Sequence, residues 1–287
     1  MAGCGAIKIF LFQVSIANGI GADEMMKKAT VSFTERINGF WRLLMTGFCF
    51  ALFGMGGLLL SLVWFNLLLI FQRNEDKRRR LARHSISFNF RLFLFLTRKL
   101  GVLDYHFHGL EKLRADKGCL IVANHPTLLD YVILASTLPD VDCIVKSALL
   151  RNPFINGVIR SAGYLINSDA ETLLPICRER LASGSNILIF PEGTRTTPGL
   201  PISLQRGAAN IAVRCECDLR IVHITCSQTM LNKKSKWYQI PPKKPIYTIT
   251  VGDQLTNENF AVDTENGHAI AARQLNRQLT QLLTPSH

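Results

Sequence analysis

Hydrophobic and polar positions divide this chain of 287 residues into two regimes. From Leu43 to Phe71 no charged residue occurs, a run of about 29 against the roughly 20 needed to cross a bilayer. The run predicts an N-terminal membrane helix or a helical hairpin: Gly54, Gly56 and Gly57 lie near its middle and suit either a tilted span or a re-entrant turn. A second apolar stretch, Phe88 to Leu96, is too short to span and is broken by Arg91, so it is expected along the interface or packed on the soluble region. After Gly101 short apolar runs alternate with helical stretches, which predicts an α/β fold with a central β-sheet flanked by helices. Strands are expected at Tyr105–His108, Cys119–Ala123, Cys143–Val145, Ile187–Phe190, Ile221–Cys226 and Ile246–Val251. Helices are clearest at Glu171–Leu181, stopped by Gly184, and at Ala269–Leu283, whose leucines recur at helical spacing and should cover one side of the sheet.

Two strand–loop junctions carry candidate chemistry. The first is Asn124-His125-Pro126-Thr127-Leu128-Leu129-Asp130 after the apolar run Cys119–Ala123. Pro126 is expected at the first position of a helix, where its missing N–H costs nothing. His125 then lies outside the helix and can fold back to meet Asp130, which would fix its tautomer and stabilise an imidazolium. The plainer alternative is a capping histidine beside a surface carboxylate. The second junction is Pro191-Glu192-Gly193-Thr194-Arg195 after Ile187–Phe190. There a glycine frees the backbone beside an acid, a hydroxyl and a planar guanidinium suited to phosphate; the plainer alternative is a polar turn.

Charge and cysteine usage then narrow the setting. Lys+Arg 33 against Asp+Glu 21 gives +12, an excess that suits an anionic membrane, nucleic acid or an acidic partner without choosing among them. Arg73, Lys77, Arg78, Arg79, Arg80 and Arg83 follow the apolar run, and Lys27, Lys28, Arg36 and Arg42 precede it. That bias favours a cytoplasmic C-terminal side, and the cluster after the run suits anionic headgroups or a solvated helix face equally. The eight cysteines are scattered with neither metal nor disulfide spacing, which fits a reducing compartment. The first residues, including Ala6–Phe12, read as a weakly structured leader, and Met25-Met26-Lys27-Lys28 offers an internal start. Lys233-Lys234-Ser235-Lys236-Trp237-Tyr238, basic with embedded aromatics, could dock an acidic carrier protein or headgroups, or form a solvated loop.

The two junctions together, Asn124-His125 with Asp130 and then Phe190-Pro191-Glu192-Gly193-Thr194-Arg195, resemble the membrane-bound glycerolipid and lysophospholipid acyltransferase family. Gln205-Arg206-Gly207-Ala208 is similar to the helix opening that follows the second motif there, and the resemblance runs from about Gly109 to Asp253. Together with the apolar run it divides the chain into a poorly defined leader at 1–34, a membrane-anchoring region at 35–98 and an acyltransferase domain at 99–287. It also implies direct acyl transfer from a thioester, acyl-CoA or acyl carrier protein, to a lipid hydroxyl. His125 would be the general base, assisted by Asp130, with Glu192, Gly193, Thr194 and Arg195 orienting the acceptor and its phosphate. N–H groups beyond Pro126 are candidate oxyanion donors. No metal or other cofactor is implied, the partners are membrane lipids and the thioester donor, and nucleic acid is not among them.

Two positions depart from the pattern. In the glycine-led stretch Gly163-Tyr164-Leu165-Ile166-Asn167-Ser168, Ser168 stands where the family carries a phosphate-contacting arginine, and Arg160 is the candidate to compensate. In Ile221-Val222-His223-Ile224, His223 replaces a proline. The stretches Val145–Leu149, Asn152–Phe154 and Ala162–Asn167 look most like a bacterial branch found with aryl-polyene biosynthesis genes, which would place the protein in the bacterial inner membrane with its catalytic domain in the cytoplasm. The competing class is a basic membrane-anchored binding protein without activity. No G-x-S-x-G elbow supports a hydrolase.

Overall fold

In a computed structural model of the chain, residues 33–167, 170–197, 199–260 and 265–284 are described. The leader, the Met25 start and Ser168 fall outside them. Residues 1–44 and 45–287 form two compact units, and the described part of the first is helical. Helix α1 (Phe33–Leu59), a π-helical turn at Leu60–Trp64 and α2 (Phe65–Phe71) follow one another without a break. Arg36–Phe71, 36 residues, is long and apolar enough to cross a membrane; at 1.5 Å per residue it measures about 54 Å.

The chain does not turn at the glycines. It turns at Gln72–Asn74, where the Asn74 side chain accepts from the Lys77 N–H at 2.9 Å and starts α3 (Glu75–Lys99). Glu75 and Asp76 in the first turn and Arg98 and Lys99 in the last complement the helix dipole. α3 runs back along the apolar helix: Phe50 and Phe53 meet Phe93 at ring-centre distances of 5.8 and 4.7 Å, Phe53 meets Phe90 at 5.7 Å, and Trp64 Nε1 donates to Ser85 Oγ at 2.8 Å. Gly56 marks the close approach, since a Cβ there would lie 2.7 Å from Asn89 Oδ1. The apolar stretch Phe88–Leu96 therefore splits by face. Phe90, Phe93 and Leu94 are buried in the core while Phe88, Leu92 and Phe95 are exposed. Arg83 of the basic cluster also turns inward: Nε donates to Ala162 O at 2.7 Å, Nη1 to Asp140 O at 3.1 Å, and Nη2 pairs with the fully buried Asp142.

The sheet has seven strands: β1 (Asp104–His108), β2 (Leu120–Ala123), β3 (Asp142–Lys146), β4 (Leu165–Asn167), β5 (Ile187–Ile189), β6 (Leu219–Cys226) and β7 (Ile246–Leu255), in the order β1-β7-β6-β2-β5-β3-β4. The six strands expected from sequence are present, and the seventh is the glycine-led stretch after Gly163. Strands β6, β2, β5, β3 and β4 are mutually parallel, and β7 runs antiparallel to β6. Parallel strands covered on both faces must be apolar at every position, which is why β2 and β5 read as unbroken hydrophobic runs. Along β2, Ile121 and Ala123 enter one core with Phe90 and Leu94 of α3 and Ile133 and Leu134 of α5 (Asp130–Thr137). Leu120 and Val122 enter the other, with Cys177 of α7 (Ala170–Ala182), Ala208 and Ala212 of α8 (Gly207–Cys215), and Leu275 and Leu279 of α9 (Glu265–Leu283). Because α3 buries its inner face in the first of these cores, it is part of the same packed body as the sheet, although the sequence assigns it to the anchoring region. Helices α4 (Leu110–Ala115) and α6 (Pro153–Ala162) and two short 3-10 turns, Ser147–Arg151 and Asn257–Asn259, complete the described elements.

Candidate active site

Parallel strands aim their C-terminal ends at one edge of a sheet, and the two sequence junctions meet there. β2 leaves the sheet through Asn124, whose buried side chain stands in for a strand residue: Nδ2 donates to Ile224 O at 2.8 Å and Oδ1 accepts from Ile224 N–H at 2.7 Å. The chain then turns before α5 begins at Asp130, four residues later than the sequence predicts for a helix opened by Pro126. The reason is local. Asp130 accepts from Thr127 N–H at 2.7 Å and from Thr127 Oγ1 at 2.6 Å, and Leu129 N–H donates to Thr127 Oγ1 at 3.2 Å, so residues 127–130 close into a side-chain-bonded turn ahead of the helix. The T-x-x-D spacing of Thr127 and Asp130 is the signal that could have found this.

His125 Nδ1 lies 2.8 Å from Asp130 Oδ2. A carboxylate accepts, so in the neutral ring Nδ1 is the nitrogen that carries the proton and Nε2 the one with the lone pair; among the described residues Nε2 has no protein partner. The Asp130 side chain is fully buried and that of His125 is 20% exposed. Burial pushes the Asp130 carboxyl up, while the bonds from His125 and Thr127 pull it back down without cancelling that rise. Phe190, at the end of β5, stacks on the His125 ring with centres 4.4 Å apart.

The second junction is tied to the first through the backbone. Glu192 Oε1 accepts from His125 N–H at 2.8 Å and from Thr196 Oγ1 at 2.7 Å, and Thr196 N–H donates to His125 O at 2.7 Å. Glu192 is buried, and one oxygen of its carboxylate holds the histidine loop. Gly193 takes a positive φ of 63° in the turn, with its N–H on Phe190 O at 3.0 Å. Thr194 is exposed beside it. Arg195 Nη1 donates to Leu231 O at 2.9 Å and Asn232 O at 2.8 Å, bracing the loop between β6 and β7. That loop carries the basic aromatic segment: Asn232 Oδ1 accepts from Lys234 N–H and Ser235 N–H, and the Trp237 ring lies against Gly47.

Two expectations change. The N–H groups of Thr127, Leu128 and Leu129 are already committed, to Asp130, to Leu231 O and to Thr127 Oγ1, so they are not free oxyanion donors. Arg160 is not brought to the group. Register places Gly163 level with Asp142 and hence with Leu120, the start of β2, five residues or about 16 Å from His125 along the strands, and Arg160 lies in the last turn of α6 beside that level. His223 is half-buried in β6, and burial lowers its pKa.

The arrangement offers an oriented base at a partly exposed sheet edge, and parts of the chain are similar to known proteins. The family pattern described as Acyltransferase matches residues 104–227, from the first strand to the end of β6, and so includes both junctions. The match takes in less than half of the chain. The chain is similar to the 1-acyl-sn-glycerol-3-phosphate acyltransferase of Helicobacter pylori, 31% identical over 135 residues that cover 44% of this chain and 57% of the relative. The Pseudomonas aeruginosa protein of the same description is 26% identical over 157 residues, 53% of this chain and 60% of the relative. The human 1-acyl-sn-glycerol-3-phosphate acyltransferase beta is 28% identical, with 46% and 53% covered. The chain thus spans about half to three fifths of the length of these relatives. Its fold is that of a crystal structure of 1-acyl-sn-glycerophosphate acyltransferase from Thermotoga maritima, with TM-score 0.58 at 18% identity, over 88% of this chain and 99% of that one.

Proposed function

We propose that this chain is a membrane-bound acyltransferase that moves an acyl group from a thioester to a hydroxyl of a lysophospholipid or related lipid acceptor. The observation that carries the reading is the His125–Asp130 contact at 2.8 Å in a loop held by Glu192 of the second motif. The acceptor oxygen attacks the thioester carbonyl carbon while its proton passes to His125 Nε2; Asp130 stabilises the imidazolium. The C–S bond then breaks and the leaving thiolate takes that proton, so no acyl-enzyme forms. Positioned proton transfer of this kind supplies roughly 10²–10⁴-fold. Gly193, Thr194 and the part of Arg195 not bonded to the β6–β7 loop face the acceptor, whereas Glu192 positions His125.

The relatives' names support lysophosphatidate as acceptor, and the stretches Val145–Leu149 and Ala162–Asn167 support the aryl-polyene branch with a carrier-protein donor. The apolar helix and the basic residues after it support a place in a bacterial inner membrane with the domain in the cytoplasm.

The test is an acyl-transfer assay of the full chain in detergent, with lysophosphatidate and other lysolipids as acceptors and acyl-CoA and acyl carrier protein as donors. His125→Ala should leave a folded protein with activity at background; substantial remaining transfer would refute the base. Strong preference for lysophosphatidate with acyl-CoA would count against the branch.

A further inference from the structure

At the edge of the sheet away from His125, a cavity of about 380 Å³ opens between the end of α2, the start of α3 and the turn after α6. One wall is apolar, from Phe65, Leu68 and Leu69. The other carries Arg78, Arg79 and Arg160, with Glu75. The acids do not use up the bases. Arg78 pairs with Glu75 at 3.7 Å and donates from Nη1 to Gln72 O at 3.1 Å, Arg79 pairs with Asp76, and Arg160 has no ion pair among the described residues, so three bases face two acids. Arg79 is also held in place. Its stem passes over Gly163, where a Cβ would come 2.7 Å from Arg79 Cδ and where φ is +63°, so glycine is needed for both the turn and the arginine.

The position along the chain fixes the kind of ligand. Leu69, Ile70 and Phe71 are exposed by 58, 69 and 79% and end the membrane-length helix; Arg73 is the next charge. Arginines this dense cannot sit in hydrocarbon, so the cavity lies at headgroup depth when the helix is inserted. Guanidinium forks on one wall and apolar side chains on the other match a phosphodiester with acyl chains attached.

We propose that this cavity binds the headgroup of an anionic membrane phospholipid, its phosphate held by Arg78, Arg79 and Arg160 and its chains lying along Leu69 and Ile70, at a site separate from the reaction at His125. The proposal depends on insertion of the apolar helix and on no reading of the chemistry.

Native mass spectrometry of the full chain from detergent micelles tests it, with phosphatidylglycerol, phosphatidylcholine and inorganic phosphate as probes. Two charge-assisted contacts are worth about tenfold together at a partly exposed site. The wild type should therefore retain phosphatidylglycerol about tenfold over phosphatidylcholine, and the Arg78→Gln/Arg160→Gln variant should lose that preference. Arg73→Gln/Arg80→Gln removes the same charge from exposed positions outside the cavity and should change retention less than twofold. Arg160→Gln alone, at an exposed helical position, should cost about threefold with an unchanged melting temperature, which separates loss of the site from loss of fold. Equal losses in the cavity and control variants, or no preference for the anionic lipid in the wild type, would overturn the site. Displacement of phosphatidylglycerol by millimolar inorganic phosphate would overturn the lipid assignment in favour of a free anion.

Discussion

Replacing Glu192 with alanine separates two roles for this residue, acceptor binding and positioning of the histidine loop. In the structure Glu192 Oε1 takes both the His125 N–H at 2.8 Å and the Thr196 hydroxyl at 2.7 Å. Removing it leaves one hydrogen bond between the loops, Thr196 N–H to His125 O, beside the Phe190–His125 ring stack, and a partly buried His125 N–H without an acceptor. An unsatisfied buried donor costs about 1–3 kcal/mol. If that energy appears as misplacement of the base in the transition state, the rate constant falls by about 5- to 150-fold, since each 1.4 kcal/mol is tenfold. Initial rates of thiol release with varied acceptor should show kcat reduced by about 10–100-fold and KM for the acceptor changed less than about twofold. Glu192→Gln keeps an acceptor oxygen and loses only the charge assistance, so its kcat should fall by only about threefold. A rise in acceptor KM at constant kcat would refute the positioning role and restore a direct contact with the acceptor. Unchanged kinetics in Glu192→Ala would show that the loops hold their geometry without this bridge.

Other outcomes follow from the same structure. Arg195→Ala removes two bonds from a charged donor to Leu231 O and Asn232 O and should cost about 1–2 kcal/mol, discounted for partial exposure. Faster amide exchange at Lys234 and Ser235, whose N–H groups rest on Asn232, would report loosening of that loop, and unchanged exchange would show that it is held from elsewhere. For His223, burial lowers the folded pKa, so the unfolded chain binds the proton first as pH falls. Its neutral form therefore contributes stability above the ordinary histidine value near 6.5 that is lost as pH drops through that value toward the folded one. Melting temperatures between pH 8 and 5.5 should fall less for His223→Gln than for the wild type; parallel curves would refute the assignment.

Hydrophobic patterning by itself determined the architecture. Six strands could be placed because parallel strands packed on both faces cannot afford polar positions, and Leu120, Ile121, Val122 and Ala123 are all fully buried. The apolar run could be placed because no charge interrupts it. His125 and Asp130 could be paired because a histidine just outside a helix reaches back to its first turn. What the chain does across large separations was decided by tertiary structure. The turn closed by Thr127 and Asp130 moved the helix start, and together with Leu231 O it took up the N–H groups expected to face an oxyanion. Glu192 became a bridge because β2 and β5 are neighbours in register, a fact that 67 residues of separation hide. Arg160 fell to the opposite edge because α6 runs back before β4 begins, so sequence nearness to Ser168 did not become nearness to His125. The hairpin turned at Gln72–Asn74 rather than at Gly54–Gly57, because those glycines lie within a continuous helix and Gly56 serves its close approach to α3. In each instance local chemistry was legible in the residues, and the partner on which it was spent was set by packing.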